Sequence, residues 1–243
     1  AAYPTGTDTI LIGTNLTFPS TYTLDPGLTL VVLSSGTITV SGNFNVNGEI
    51  INYGTISSTL SITNSGTITN YGDISADDTL TNNGTVTNTG IISTTNGLTN
   101  NTANFDTTGG TVQGPVTGTT PTGLNYIWTG NSGSSWNTGG SWNIGTAPPA
   151  DGTASVQIPD VSTGSNTYPS LVTPINLASL IIDANASVTT SGQNITCAAF
   201  TNNGTVYSNG TGSVSLSGTI SETGLWSFSG GTIPIVTGLS YNN

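Results

Sequence analysis

Apolar side chains recur at every sixth position between residues 30 and 101. Glycine keeps this period two residues before many of these positions, and asparagine keeps it two residues after many of them. Gly48, Gly66 and Gly84 lie 18 residues apart, which divides the stretch into three aligned copies after a looser first one. The copies are 48–65, 66–83 and 84–101, after 30–47. The apolar set is Val32, Ile38, Phe44, Ile50, Ile56, Ile62, Ile68, Ile74, Leu80, Val86, Ile92 and Leu98.

This repeat predicts an all-β fold, a β-solenoid with three short sides and about 18 residues per coil. Residues i and i+2 of a strand point to the same side. Gly66, Ile68 and Asn70 are therefore expected to face inward, and Thr67 and Thr69 outward. Inward Asn would pair with the backbone or with the Asn of the next coil. Glycine would allow a positive φ or a close approach at a corner. A helix is excluded, because six-residue steps do not return to one helical face.

The pattern divides the chain into three parts. Residues 1–124 are predicted to form an N-terminal solenoid with a lead-in strand at Thr9–Ile12 and a turn-rich connection over 102–124. Residues 125–170 form a Trp-rich loop segment that interrupts the solenoid, and 171–243 a second, less regular solenoid region. The second region is supported by the sequence TNNGTV, which occurs at 81–86 and again at 201–206.

Composition excludes several classes of function. The chain has no Lys, Arg or His and a net charge of −11. Phosphate backbones and anionic membranes are held by basic side chains, so neither nucleic acid nor a membrane surface is an expected partner. No apolar run is long enough to span a bilayer. Cys197 is the only cysteine, and we expect it to be a small buried apolar residue, with an intermolecular disulfide as the alternative.

The missing basic residues also remove most catalytic chemistry. A nucleophile has no histidine or lysine to activate it, and His/Cys metal sites are excluded. Carboxylates remain, and Asp73, Asp77 and Asp78 share one coil. They are compatible with a solvated turn, a structural Ca²⁺ site or a glycosidase pair. No other cofactor is predicted, and the chain is expected not to be an enzyme.

Three tryptophans mark the segment between the solenoid regions. Trp128, Trp136 and Trp142 are expected either to pack a small core or to provide stacking surfaces for a glycan. The segment combines Trp128-Thr129-Gly130 with the other two Trp, Asp151 and the strand-like Val156-Gln157-Ile158. In this it resembles a segment of large secreted surface proteins of Bacteroidota-type bacteria, which carry N-x-G-T-I solenoid repeats on either side. The resemblance implies a surface-protein architecture and no particular activity.

These observations favour a secreted structural protein at the cell surface. Ala1-Ala2 suits the small-residue site of a signal peptidase. Open sheet edges at Ile10–Ile12 and Ile233–Val236, with no lysine to block them, predict end-to-end contacts between copies in a filament, sheath or surface layer. An adhesin or glycan-binding module of a larger surface protein is the alternative, with surface glycans as partners. A glycosidase ranks last.

Overall fold

The computed structural model describes residues 8–210 and 212–228. Ala1-Ala2 and Ile233–Val236, for which processing and an open edge were predicted, lie outside the described residues. Stacked parallel strands form β-solenoid coils of roughly 19 residues per turn, and this confirms the predicted fold class. The chain comprises two compact units, Ala1–Leu124 and Asn125–Asn243.

The first unit has six described coils of three strands each. Coil one comprises β1 (Thr9–Ile12), β2 (Asn15–Phe18) and β3 (Tyr22–Leu24); coil two comprises β4 (Thr29–Val32), β5 (Thr37–Val40) and β6 (Phe44–Val46). Coil three comprises β7 (Glu49–Asn52), β8 (Thr55–Ser58) and β9 (Ile62–Asn64); coil four comprises β10 (Thr67–Asn70), β11 (Asp73–Ala76) and β12 (Thr79–Asn82). Coil five comprises β13 (Thr85–Asn88), β14 (Ile91–Thr94) and β15 (Gly97–Asn100); coil six comprises β16 (Phe105–Asp106), β17 (Thr111–Gln113) and β18 (Val116–Gly118). Equivalent strands pair in parallel and make three six-stranded sheets; the first sheet contains β1, the second β2 and the third β3.

The six-residue pattern defines the core of this unit. Ile68 of β10 pairs in register with Ile50 and with Val86, and all three side chains are 1% exposed. Thr67 and Thr69 are only half-buried, on the outer side of the strand. Each buried Ile contributes roughly 1.5–3 kcal/mol of gross burial energy. The thin core is therefore stabilised by apolar contact from coil to coil, and the predicted inward and outward positions are confirmed.

Asparagine forms two buried columns beside this core. Within each column, the Nδ2 of one Asn donates to the Oδ1 of the next Asn at 2.8–2.9 Å. The columns are Asn52, Asn70 and Asn88 at the end of the first sheet, and Asn64, Asn82 and Asn100 at the end of the third. The amides also donate to backbone carbonyls at the corner, as Asn70 Nδ2 does to Gly72 O at 2.9 Å. The predicted Asn ladder is thus confirmed.

The corner glycines are needed because the backbones of neighbouring coils come close together, and not because they adopt unusual backbone dihedrals. Neither Gly66 nor Gly72 has a positive φ. A Cβ on Gly66 would collide with the carbonyl oxygen of Gly48, and one on Gly72 with that of Gly54. Consecutive coils therefore touch backbone to backbone at these corners, and only glycine leaves room for the contact.

Coil length varies around the repeat. Paired residues lie 18 apart in the strict copies, as between Asn52 and Asn70, but 20 apart between Thr29 and Glu49, and 22 apart between Thr23 and Asn45. The lead-in predicted before residue 30 is a complete first coil. The turn-rich connection predicted over 102–124 is largely coil six, in which Phe105 and Val112 are buried.

The second unit repeats the parallel stacking with longer sides. One sheet contains β19 (Asn125–Ile127), β20 (Ser155–Ile158), β21 (Ile175–Ile182), β23 (Ile195–Asn202), β25 (Val214–Leu216) and β26 (Ile220–Glu222). The other contains β22 (Ser187–Thr189), β24 (Thr205–Ser208) and β27 (Leu225–Phe228). The Trp-rich loop, with a 3-10 turn at Gly139–Ser141, occupies the connection between β19 and β20.

Candidate interaction surfaces

The first coil presents inward-facing apolar side chains that are only half-buried. These residues, which we call the first-coil surface, are Ile10, Ile12, Leu16, Phe18 and Tyr22. Their register partners in coil two are 0–1% exposed; those partners are Leu30, Val32, Ile38, Val40 and Phe44. β1, β2 and β3 each pair with the second coil on one side, and among the described residues no strand lies on the other. Within residues 8–210 and 212–228, the backbone edges of these strands and the side chains of Ile10, Leu16 and Phe18 are therefore open together at this end.

The three tryptophans of the loop form a closed cluster. Trp128, Trp136 and Trp142 are 0%, 1% and 3% exposed. The Trp142 ring meets the other two edge to face, with centroid distances of 4.9 and 4.8 Å. The indole of Trp128 donates to Thr167 O at 2.7 Å, and that of Trp142 to Trp136 O at 2.8 Å. Rings buried in this way have no face on which a sugar can stack, so the three residues pack a small core and do not form a glycan platform.

The three carboxylates of coil four, Asp73, Asp77 and Asp78, have different surroundings. Asp73 is exposed on the outer side of β11, between Thr55 and Ile91 of the neighbouring coils, and Asp77 is exposed at the next corner. Within the described residues, no three His, Cys, Asp or Glu side chains form a group that could hold a metal ion. The calcium hypothesis for Asp73, Asp77 and Asp78 stays a prediction.

Asp78 links three coils. Its carboxylate accepts hydrogen bonds from Asn96 Nδ2 at 2.9 Å and from Ser61 Oγ at 2.8 Å. These two donors stabilise the charged form and lower the pKa of Asp78. The arrangement fits a structural role at a corner, where one side chain joins the coil before its own to the coil after it.

A shallow groove of about 410 Å³ runs beside β13 and β16. Its lining includes Thr87, Asn104 and Asp106. Hydrogen bonds from Thr108 lower the pKa of Asp106, so this carboxyl group is ionised at neutral pH. Glycoside hydrolysis by the usual route needs two carboxyl groups on either side of the scissile bond. The lining provides one acidic residue, Asp106, so it does not contain the pair of carboxyl groups that this route needs.

Cys197 is buried in β23, where its thiol donates to Ala199 O at 2.7 Å. Burial raises the pKa of Cys197 to about 11. The thiolate is the reactive form of cysteine, and at neutral pH almost none of it is present. The expected small buried residue is the one observed, and an intermolecular disulfide would require this strand to open.

We expect a maleimide reagent to leave Cys197 unmodified in the folded protein at pH 7–8. The same reagent should modify it completely in urea, because unfolding removes the burial that raises the pKa. Mass spectrometry of the intact chain after a timed reaction measures both states. Rapid modification of the folded chain would mean that the end of β23 opens readily or that the thiol is not buried.

Two exposed tyrosines form a pair that the sequence analysis did not single out. Tyr53 and Tyr71 are 48% and 49% exposed, and their rings stack with centroids 4.9 Å apart and planes 6° apart. Each follows an inward ladder residue, Asn52 or Asn70, and precedes a corner glycine. The sequence Asn-Tyr-Gly, repeated after 18 residues, is the signal that could have revealed the pair, because that spacing brings equivalent positions next to each other.

By its structure the chain belongs to the class of β-solenoid proteins. Comparison with protein-family models, with curated proteins and with solved structures gives no match. No helix in the described part of the chain is long and apolar enough to cross a membrane. Its function therefore has to follow from its own surfaces.

Proposed function

We propose that this chain is a non-enzymatic structural protein of the cell exterior, a solenoid subunit that associates end to end with further copies in a filament, sheath or surface layer. The observation that carries the proposal is the first-coil surface, where Ile10, Leu16 and Phe18 keep the inward register of the core but stay half-buried. A second copy whose terminal coil continued the stack would bury these side chains.

Backbone geometry supports the same contact. A terminal strand presents unpaired N–H and C=O groups, and natural sheets protect such edges with lysine, proline or bulges. β1 has the sequence Thr9-Ile10-Leu11-Ile12, with no charged residue to block pairing. Another strand placed on this edge would gain the parallel hydrogen bonds that β1 already makes with β4 on its other side.

Charge opposes association and sets the conditions for measuring it. With no cation in the chain and a net charge of −11, two copies repel each other and form no salt bridges across a contact. Salt screens this repulsion, with a Debye length of about 8 Å at physiological ionic strength. Longer assemblies are therefore expected as salt is added.

We expect Ile10→Glu to abolish end-to-end association and Leu11→Glu to preserve it. The two residues are neighbours on β1 and the two variants carry the same charge, but Ile10 faces inward in the terminal coil and Leu11, 66% exposed, faces outward. Burying a carboxylate in the contact costs several kcal/mol, which corresponds to well over a tenfold loss of affinity. Sedimentation velocity and negative-stain electron microscopy of the full chains, with circular dichroism to check folding, measure the difference.

Three results would contradict the proposal. They are a wild-type chain that stays monomeric at every salt and protein concentration, equal effects of the two substitutions, and association that stops at a dimer. A dimer would mean that two first coils meet face to face in a closed contact, which cannot propagate into a filament.

The alternative of an adhesin or glycan-binding module has less support. Its predicted contact residues, Trp128, Trp136 and Trp142, are buried against one another. Surface glycans as partners of the chain stay a prediction.

A further inference from the structure

The stacked pair of Tyr53 and Tyr71 lies on the corner between the first and second sheets of the first unit. The backbone beneath it is fixed, because Tyr71 N donates to Asn52 O at 2.7 Å and Asn52 Nδ2 donates to Asn70 Oδ1 at 2.8 Å. Both tyrosines directly follow these paired residues, so their Cα atoms are held one coil apart. The rings are roughly half-exposed above this rigid base.

The orientation of the rings favours reaction with each other over binding a sugar. Planes only 6° apart at a centroid distance of 4.9 Å turn one face of each ring toward its partner. A sugar platform needs open ring faces directed at solvent, and here one face of each ring is turned toward the other ring instead. Because the two residues occupy equivalent positions one coil apart and their rings are nearly parallel, small rotations of these exposed side chains can bring together the carbons next to the two hydroxyl-bearing carbons.

We propose that Tyr53 and Tyr71 form an oxidative cross-linking site, at which a peroxidase-type one-electron oxidant joins consecutive coils through a dityrosine bond. Each phenol loses one electron and its O–H proton and becomes a phenoxyl radical. The two radicals couple between the carbons ortho to their oxygens, and the proton on each of these carbons then moves to the oxygen, which restores both phenols. The pair loses two electrons and two protons in total, and these reduce one H₂O₂ to two H₂O.

The other described tyrosines lack this combination of pairing and exposure. Tyr22 stacks on Phe18, which forms no phenoxyl radical. Tyr126 is 7% exposed and meets the Trp142 ring edge to face. The Tyr168 hydroxyl donates to Asp160 at 2.7 Å. Tyr207 is 46% exposed on β24 but belongs to no ring pair among the described residues. Tyr207 therefore matches the pair in exposure without a partner, which makes it the appropriate control.

The test treats the full chain with a haem peroxidase and limiting H₂O₂, followed by size-exclusion chromatography and peptide mass spectrometry. We expect the monomer fraction to contain a peptide pair joined at Tyr53 and Tyr71, lighter by two hydrogens, together with dityrosine fluorescence. Tyr53→Phe and Tyr71→Phe should each abolish this product, because phenylalanine forms no phenoxyl radical, and both keep the ring that packs at the corner. Tyr207→Phe should form the wild-type amount.

Cross-linked monomer should also melt at a higher temperature than untreated monomer, because the bond closes a loop in the unfolded chain. The inference is overturned if no Tyr53–Tyr71 product forms, if the main product joins different chains or other tyrosines, or if Tyr53→Phe gives as much fluorescence as the wild type. The site lies within one chain, so its test does not depend on whether the protein assembles end to end.

Discussion

Ile68→Asp is expected to destabilise the first unit by several kcal/mol. The side chain is 1% exposed and lies between Ile50 and Val86 of the neighbouring coils, in the narrow apolar core that the coils enclose. A carboxyl group at this position has no donor to pair with, and the chain provides no cation. The cost combines the lost apolar burial with the desolvation of an unpaired polar group.

Thr69→Asp is the matched control for this substitution. Thr69 lies one residue further along β10, on the outer side, and its register neighbours are Ile51 and Thr87. Thr67 is less suitable because Glu49 lies opposite it, and like charges on facing strands repel. We expect Thr69→Asp to cost under about 1 kcal/mol. Urea unfolding followed by circular dichroism compares the variants, and equal losses would contradict the inward and outward register.

Period and spacing together made the centre of the first unit predictable. Gly66, Ile68 and Asn70 recur in the neighbouring copies, so one choice of register assigns every inward position. The buried Asn ladder followed from the same spacing, because stacking places identical residues next to each other. Local propensity would not have been enough, since threonine and isoleucine favour strands on either face.

Where coil length changes, the sequence did not reveal the coils. The first coil was predicted only as a lead-in strand because Leu16 and Tyr22, although six residues apart, are out of phase with Val32 and the apolar positions that follow it. Residues of the first coil pair with residues 20–22 positions later, so extra residues at the corners shift the phase without breaking the stack. The same holds for coil six, where Phe105 pairs with Val86 although the repeat ends before it.

The interaction surfaces could not be predicted from local sequence patterns, because they depend on tertiary packing. Three tryptophans in a glycine- and serine-rich loop are compatible with a buried cluster, which is the commoner case, and with an exposed platform. What decides between them is that Trp142 packs edge to face against both other rings. In the same way, Ile10 and Ile68 occupy equivalent inward positions, and only their place in the stack leaves one half-exposed and the other buried.

The asparagines of the two units should respond in opposite ways to the same substitution. Asn70 Nδ2 donates to Asn88 Oδ1, Gly72 O and Ile91 O at 2.8–3.0 Å, and its Oδ1 accepts from Asn52 at 2.8 Å. Valine there would break the ladder and leave buried polar groups of the neighbouring coils without this partner. Such losses cost about 1–3 kcal/mol, so Asn70→Val is expected to lower the free energy of unfolding by that amount.

Asn202 occupies the equivalent place in the second unit without a ladder. It is 0% exposed, its register neighbours are Ile182 and Glu222, and neither its Oδ1 nor its Nδ2 has a hydrogen-bond partner among the described residues. Valine is compatible with this position in the fold, because Val32 pairs in register with Asn52 at the start of the ladder. Asn202→Val removes two buried unsatisfied atoms and is expected to be neutral or to stabilise the unit by about 1 kcal/mol.

The two transitions can be followed separately in one urea titration. All four tryptophans, Trp128, Trp136, Trp142 and Trp226, belong to the second unit, so their fluorescence reports its unfolding, and circular dichroism reports both units. We expect Asn202→Val to leave the midpoint of the fluorescence transition unchanged or move it to higher urea. Unfolding of the first unit changes the dichroism but not the tryptophan fluorescence. We expect Asn70→Val to move the midpoint of this change to lower urea. If Asn202→Val destabilised the second unit by as much as Asn70→Val destabilises the first, Asn202 would have hydrogen-bond partners of its own, and the difference between a paired ladder and a lone buried amide would not hold.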